Sequence, residues 1–412
     1  MDLLAEVDPN GAVRATELTH KLAIDGQSDV YRVYRIRLDK LRYNSRNDRI
    51  ATWVSKYEAE HGGSLPDESD LERFNDAMER LVTKSNEQAV RQTINNIRLF
   101  DQRVPAVVLA DGLVVDGNRR LTCLRRLARE EPRFGWMEAV ILPATIASNR
   151  KRLKLIELAI QHGEEGKVDY DPLDRLAGLY KDVVKDGVLT VEEYAQGMGT
   201  SSRDVRKMLE QASYVAEFLD FINCPGQFHL VRELDLMGPL QDMPRVMRCC
   251  RSEEEEGLVR LLAYANLVVE PARDAAGFVR RFKRILDSSV AQEFMEEEKR
   301  LTSKVVERLA REDATAVEVI RNDIRADDEL VASFARAMSK ADARAKGARV
   351  LTTPHENLQR AADYLDRVDT ELFAYVPADE LRRVNRTLGA IAQRVEEIRD
   401  MAHLGDAHGG RA

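Results

Sequence analysis

Apolar residues recur with two different periods in the first 145 residues. Between Val30 and Leu41 they alternate with arginines, which predicts a half-buried strand. Over residues 50–60 and 69–100 they recur every three or four positions, which predicts helices. Residues 1–28 are mixed and rich in turn formers, with a predicted loop at residues 25–27.

The clearest local pattern follows Pro105. Two short apolar runs, 106–109 and 113–115, flank Asp111-Gly112, which is a strong hairpin signal. Gly117 and an amphipathic, arginine-rich helix come next, and the run EAVIL at 138–142 predicts another strand. Residues 1–145 therefore predict a small α/β domain.

The rest of the chain predicts helices almost throughout, so the fold class is α+β. Candidate helices cover 146–162 and 172–186, two shorter ones lie within 190–210, and several more fill 213–345. The predicted domains are the α/β unit at 1–145, a helical DNA-binding region at 146–235, a helical domain of unknown role at 236–350, and a helical hairpin at 351–404.

The predicted hairpin carries two heptad-like stretches separated by Pro377. One hypothesis is a hairpin that pairs two copies into a homodimer. The other is a pair of amphipathic helices packed on the protein's own core. Within each stretch the apolar residues lie alternately three and four positions apart. They are Leu358, Ala361, Leu365, Val368 and Leu372 in the first stretch, and Leu381, Val384, Leu388, Ile391, Val395 and Ile398 in the second.

Composition narrows the class of protein. The 412 residues carry a net charge of −8, which excludes a uniformly basic nucleic-acid coat but allows local basic patches. The four cysteines form no CxxC pair, so a zinc ribbon or disulfide scaffold is not expected. Without an apolar run of membrane-spanning length or a basic apolar leader, we expect a cytoplasmic protein that does not bind membranes.

The segment around Gly117 is the best candidate for chemistry. A glycine there lets the backbone approach a ligand closely, and the unpaired N–H groups at the following helix start favour an anion. Arg119 and Arg120 add two guanidinium groups, whose geometry suits phosphate oxygens. A polyphosphate or a nucleic-acid backbone fits this pattern, and the alternative is a tight turn before a surface-basic helix.

Residues 33–127 resemble the N-terminal domain of the ParB/sulfiredoxin-like superfamily. The similar features are the strand VYRIRLDKL, the polar turn at 44–47, the long helix, and the run PAVVLADGLVVDGNRRLTCLRRL. The resemblance implies binding of a nucleoside triphosphate, CTP or ATP. It assigns the phosphates to the box formed by Gly117, Asn118, Arg119 and Arg120, and it matches Arg46 and Asn47 to the family's N-terminal arginine turn.

The chain departs from the partition proteins in two places. Asn118 stands where they have an acid, and the stretch 160–172 replaces their Glu-Asn-x-x-Arg box. Within that stretch Glu164 and Glu165 are candidate ligands for Mg²⁺, with a solvated acidic loop as the alternative. The cysteine that sulfiredoxin chemistry requires is missing from the box, and Cys123 on the following helix is not expected to be catalytic.

A helix-turn-helix is predicted near residues 190–210. Thr190 and Glu193 form a capping box, and the small Ala195, Gly199 and apolar Val205 have the spacing at which two such helices pack. An ordinary helical hairpin is the alternative. The residues predicted to face DNA from the second helix are Ser201, Ser202, Arg203, Arg206 and Lys207.

Local charge adds to the nucleic-acid hypothesis. Ten lysines and arginines against four acidic residues lie between Val115 and Leu155. Arg125, Arg126 and Arg129 share one helix, and a second cluster contains Arg150, Lys151, Arg152 and Lys154. Solvated helix faces are the alternative explanation.

Three functions remain open from the sequence. The first is a DNA-associated, nucleoid-associated or regulatory protein of partition, regulation or phage-defence type, in which CTP or ATP alters DNA binding. The second is a metal-dependent nuclease or phosphotransferase, with Asp116, Glu164 and Glu165 gathering Mg²⁺. The third is a scaffold that binds a protein partner through its C-terminal helices.

Overall fold

The computed structural model describes residues 2–24, 27–143, 149–163, 171–269, 275–311 and 315–408. The chain divides into two compact units, Met1–Ala345 and Lys346–Ala412. The predicted candidates Glu164 and Glu165, and the Asp25-Gly26 part of the predicted loop, lie outside the described residues.

The first unit begins with a mixed five-stranded sheet in the order β1-β2-β5-β3-β4. The β3–β5 pair is parallel, and the other three pairs are antiparallel. The strands are β1 (Val13–Ile24), β2 (Gln27–Arg37), β3 (Ala106–Leu109), β4 (Val114–Asp116) and β5 (Trp136–Leu142).

Helices cover both faces of this sheet, which explains why β3 is buried along its whole length. One face packs against the apolar sides of α2, α3 and α4, and the other packs against α5. The helices of this part are α1 (Ala51–Glu60), α2 (Leu71–Ser85), α3 (Glu87–Phe100), α4 (Asn118–Glu130) and α5 (Arg150–Gly163).

The strand β1 was missed in the turn-rich assignment of residues 1–28, which is wrong. Its signal is the alternation in VRATELTHKLAI, whose buried positions are Val13, Leu22 and Ile24. The continuous helical pattern at 69–100 is divided into two helices at Asn86, whose side chain accepts a hydrogen bond from the Ala89 N–H and caps α3.

The remainder of the first unit is helical and has one large apolar core, so the α+β fold class is confirmed. Two π-helical segments, Lys181–Lys185 and Val319–Ile324, interrupt the α-helices. The helices are α6 (Pro172–Tyr180), α7 (Val191–Met198), α8 (Ser202–Phe221), α9 (His229–Glu233), α10 (Met237–Met247), α11 (Glu253–Val269), α12 (Ala275–Leu286), α13 (Ala291–Leu309), α14 (Ala316–Glu318) and the first part of α15 (Asp328–Asp366).

Within the first unit, α1 joins the sheet domain to the helices that follow. The Thr52 hydroxyl donates to Asp174 Oδ1 at 2.6 Å, and the Arg232 guanidinium donates to the Thr52 hydroxyl at 2.7 Å. Arg232 also donates to Asp174 Oδ2 at 3.2 Å. Burial raises the pKa of Asp174 to about 6, so this network depends on its hydrogen bonds to keep the carboxylate charged.

The second unit contains the end of α15 and α16 (Ala378–His408), joined through a 3₁₀ helix at Thr370–Tyr375. Pro377 lies directly before α16, as the pattern predicts. None of the heptad positions described is buried, and Leu358, Leu372, Leu388 and Val395 expose 44%, 57%, 45% and 48% of their surface. The predicted helices form, but their apolar positions remain at the surface of the chain.

Among the described residues, no helix combines the length and the apolar character that crossing a membrane requires.

Candidate functional site

Gly117 occupies a position that only glycine fits. Its φ of +108° lies in the left-handed region, and a Cβ atom there would stand 2.8 Å from Ala106 Cβ and 3.0 Å from Met137 Cε. Gly117 is also the N-cap residue of α4. The turn therefore brings the start of α4 tightly against β3 and β5.

Asn118 fixes the start of α4 to the polar turn at 44–47. Its Oδ1 accepts the Asn44 N–H at 3.1 Å, and its Nδ2 donates to the Val114 carbonyl at 3.1 Å. The residue is buried. Its side chain therefore holds two segments of protein together, which is a structural reason for an asparagine where partition proteins have an acid.

Arg119 has an unusual environment. It is half-buried, and its side chain makes no hydrogen bond or ion pair with any described residue. Burial lowers the pKa of Arg119, and the neighbouring charge of Arg49 lowers it further. Two guanidinium groups beside a helix N-terminus create a positive potential that an anion would stabilise.

The Arg120 side chain, unlike that of Arg119, is bound by other groups of the protein. Its guanidinium donates to Asp116 Oδ2 at 2.6 Å and to the Val104 carbonyl at 2.9 Å. The structure therefore does not bring Arg119 and Arg120 together as two equivalent phosphate ligands. Asp116, a predicted metal ligand, is the ion-pair partner of Arg120.

The residues of the polar turn at 44–47 differ in their exposure and in their hydrogen bonds. The Arg46 side chain is exposed, and its N–H donates to Asn44 Oδ1 at 3.0 Å. Asn47 is buried, and its Oδ1 accepts the Arg49 N–H at 3.0 Å. Asn47 thereby caps a short 3₁₀ helix that carries Arg49 toward Arg119.

The three later arginines of α4 are not a free basic face, contrary to the prediction. They surround Glu79 of α2, whose side chain is only 6% exposed. Arg125, Arg126 and Arg129 all donate to its carboxylate, and Arg125 and Arg129 also donate to Asp76. Their role is to hold α2 against α4. Sequence reasoning missed this because Glu79 lies 46 residues before Arg125.

The local features predicted for residues 190–205 are present in α7 and α8. Thr190 and Glu193 form the predicted capping box, Gly199 is left-handed with φ +66°, and Ala195 and Val205 are buried. Ser201 caps α8 by accepting the Asp204 N–H at 3.1 Å. α8 continues for 20 residues into the large helical core, which the local pattern did not reveal.

The predicted contact residues of α8 face solvent. Arg203, Arg206 and Lys207 are exposed, while Ser202 is half-buried. Arg206 pairs with Glu192 at 2.6 Å and Lys207 pairs with Asp204 at 3.3 Å. Exposed pairs of this kind contribute only about 0–1 kcal/mol, so they are easily exchanged for other anions.

The basic run at the start of α5 lies beside α7. Lys151 pairs with Glu193 of α7, and Arg150 pairs with Asp186. Gly197 permits this packing, since a Cβ there would stand 3.2 Å from Leu158 Cβ. Arg152 is exposed on the same turn. The predicted basic segments of α5 and α8 are thus on helices that both pack against α7.

A buried lysine connects the polar turn to this region, which corrects its predicted place in the basic cluster of α5. Lys154 of α5 lies 2.6 Å from Asp48 Oδ1 and 2.9 Å from Asp182 Oδ2. Burial by itself would lower the pKa of Lys154, but the carboxylates of Asp48, Glu157 and Asp182 raise it. The lysine therefore stays charged and joins three segments.

The described residues can be examined for a metal site and for a reactive cysteine. The described residues contain no group of three or more His, Cys, Asp or Glu side chains arranged to hold a metal. Cys123 is buried, and burial raises the pKa of its thiol to about 12, which keeps it protonated and unreactive. This agrees with the expectation that Cys123 is not catalytic.

No family model and no curated protein matches the chain. A solved structure of a Pnob8-like ParB-N domain is similar to it with a TM-score of 0.37 and 12% sequence identity, over 65% of this chain and 97% of that one. These values are too low to assign a family. The functional conclusions below therefore depend on the residues of this chain.

Proposed function

We propose that this chain is a DNA-associated protein that binds a nucleoside triphosphate, CTP or ATP with Mg²⁺, at the start of α4. The observation that carries the proposal is the half-buried Arg119 guanidinium beside Arg49, without a carboxylate or carbonyl partner among the described residues. A phosphate group would supply that partner and accept N–H donors at the helix start.

The second part of the proposal concerns DNA. The exposed basic residues of α8 and the basic run of α5 stand on helices that pack against the same α7. Their existing ion pairs are solvent-exposed and weak, so DNA phosphates can replace the protein carboxylates. Binding of this kind weakens steeply with salt because counterions are released from DNA.

A chain of buried contacts offers a route between the two surfaces. Asn118 at the start of α4 accepts the Asn44 N–H, and Asp48 on the same turn pairs with Lys154 of α5. α5 then packs against α7. We propose that nucleotide at α4 shifts this turn and so changes how α5 and α8 present their cations.

The exposed apolar stripe of the second unit supports homodimerisation. Apolar residues that recur at heptad spacing and stay 43–57% exposed, as Leu365 and Leu372 do, gain hydrophobic burial when a second copy covers them. Pairing of two copies would also double the DNA contacts of each assembly.

The nucleotide part is tested by equilibrium binding of labelled CTP, ATP and GTP with Mg²⁺ to wild type and Arg119→Ala. Arg91→Ala is the matched control, because Arg91 is exposed on α3 and its ion-pair partner among the described residues is Glu87 of the same helix. We expect saturable binding of at least one nucleotide, weakened about tenfold or more by Arg119→Ala and unchanged by Arg91→Ala. Equal binding by the two variants, or no binding by wild type, would refute the site.

A further inference from the structure

A cleft of about 480 Å³ lies away from the Gly117 turn, and neither Gly117 nor Arg119 lines it. It is bounded by the turn at 45–48, α1, the junction of α6 with its π-helix, α8, and the loop at 225–228. Its volume is in the range of pockets that hold small organic ligands.

Three cations line the cleft: Arg46, Lys181 and Lys185. In the part of the chain that the structure describes, none of these side chains forms an ion pair, whereas Arg125, Arg126 and Arg129 of α4 all pair with Glu79. Cations that are not held by a protein carboxylate can pair with the anionic group of a ligand.

The two lysines are placed by the π-helix at Lys181–Lys185. The Asp186 N–H donates to the Lys181 carbonyl at 2.8 Å, which is the wider hydrogen bond of this helix type. π-helical turns are rare in proteins and are frequently found at functional sites. This is a second observation, independent of charge, that marks the same wall.

Aromatic and small apolar residues line the cleft beside the cations. The rings of Tyr180 and Phe228 line the cleft with their centroids 6.1 Å apart, and the small Ala177 and Ala216 leave room next to them. Aromatic walls of this kind hold planar rings by stacking and apolar contact.

Three carboxylates also line the cleft, and Asp48 among them is already paired with a lysine of α5. Glu58 and Asp220 offer acceptors for hydroxyl or amino groups. Burial raises the pKa of Tyr180, and the nearby Asp220 raises it further, so the phenol keeps its proton as a donor. Ser55 is already engaged, since its hydroxyl donates to the Gly226 carbonyl at 3.1 Å.

We infer that this cleft binds a nucleoside monophosphate, separately from the triphosphate site proposed at α4. Such a molecule combines the three features that the lining complements: a planar ring for Tyr180 and Phe228, hydroxyl groups for Glu58 and Asp220, and a phosphate for the cations. Because α1, α6 and α8 all line the cleft, its ligand would also stabilise the junction between the sheet domain and the helices.

The test is isothermal titration of the full-length protein with AMP, CMP, GMP and UMP, with adenosine and inorganic phosphate as separate arms. We expect at least one monophosphate to bind more tightly than adenosine and more tightly than inorganic phosphate. The double variant Lys181→Gln/Lys185→Gln should weaken that binding about tenfold or more. The matched control Lys299→Gln/Lys304→Gln, on exposed positions of α13, should leave it unchanged, and thermal melting should show that both variants are folded.

Three results would overturn the inference: no saturable binding of any monophosphate, equal affinity in the lysine variant, or adenosine binding as tightly as AMP. Arg119→Ala separates this site from the proposed triphosphate site. If Arg119→Ala abolishes monophosphate binding and the lysine variant does not, the cleft is refuted while the α4 site stands.

Discussion

Glu298 is a carboxyl group buried in the helical core of the first unit. It lies on α13 with no exposed surface, and Asn266 Nδ2 donates to its Oε2 at 2.7 Å. Its Oε1 and the Asn266 Oδ1 have no hydrogen-bond partner among the described residues. Replacing Glu298 with glutamine keeps the shape, removes the ionisable group and adds an N–H donor beside unsatisfied acceptors.

The pKa of Glu298 determines how much the free energy of unfolding changes with pH. Burial raises the pKa of Glu298 from its ordinary 4.5 to about 8, so the folded protein keeps a proton that the unfolded chain loses. The free energy of unfolding therefore falls as pH rises from 4.5 to 8 and levels off above 8. The whole range corresponds to about 5 kcal/mol, of which about 2 kcal/mol falls between pH 6.5 and 9.

The assay is denaturant unfolding at pH 6.5, 8 and 9, comparing wild type, Glu298→Gln and Glu307→Gln. Glu307 is exposed on the same helix, so its substitution is the matched control. We expect the Glu298→Gln protein to lose about 2 kcal/mol less than wild type and the control between pH 6.5 and 9. A Glu298→Gln protein with the same pH dependence as wild type would refute the reasoning.

Three further predictions concern packing and assembly. Glu79→Gln leaves the surrounding arginines of α4 without their buried carboxylate, and thermal unfolding should show a loss of about 3 kcal/mol; an unchanged melting temperature would contradict the structural role. Gly197→Leu forces α7 away from Leu158 of α5, and chemical denaturation should show a loss of about 2 kcal/mol; retention of full stability would argue against close packing there. Leu388→Asp/Val395→Asp places charges on the exposed stripe, and sedimentation velocity should show a monomer where wild type is a dimer; a dimer in both proteins would exclude this stripe as the interface.

The local patterns predicted most elements because their causes are local. The hairpin at Asp111-Gly112, the left-handed Gly117 and the capping box at Thr190 depend on residues a few positions apart, and each is where the pattern places it. The strand β1 was missed because its mostly exposed face weakens the alternation.

The role of the arginines was harder to predict, because it depends on contacts distant in sequence. The sequence placed Arg119, Arg120 and Arg125 in one basic segment. The structure gives each a different environment: Arg119 has no ion-pair partner among the described residues, Arg120 pairs with Asp116, and Arg125 pairs with Glu79. Helical periodicity alone does not show which charges meet a carboxylate from another element.

The cleft beside the π-helix was also beyond local reasoning. Its cations come from a turn and a helix that are more than a hundred residues apart, and its aromatic residues follow ordinary helical spacing. Lys154 is similar, because its partner Asp48 lies 106 residues away. In both cases the functional signal is an arrangement in space.

The central claim is that nucleotide at the start of α4 alters DNA binding. The most direct measurement is the affinity of wild type and Arg119→Ala for a labelled DNA duplex over a range of salt concentrations, with and without the nucleotide that binds most tightly. The account predicts salt-dependent DNA binding that changes with nucleotide in wild type and does not change in Arg119→Ala. DNA affinity that is the same with and without nucleotide in wild type would contradict it.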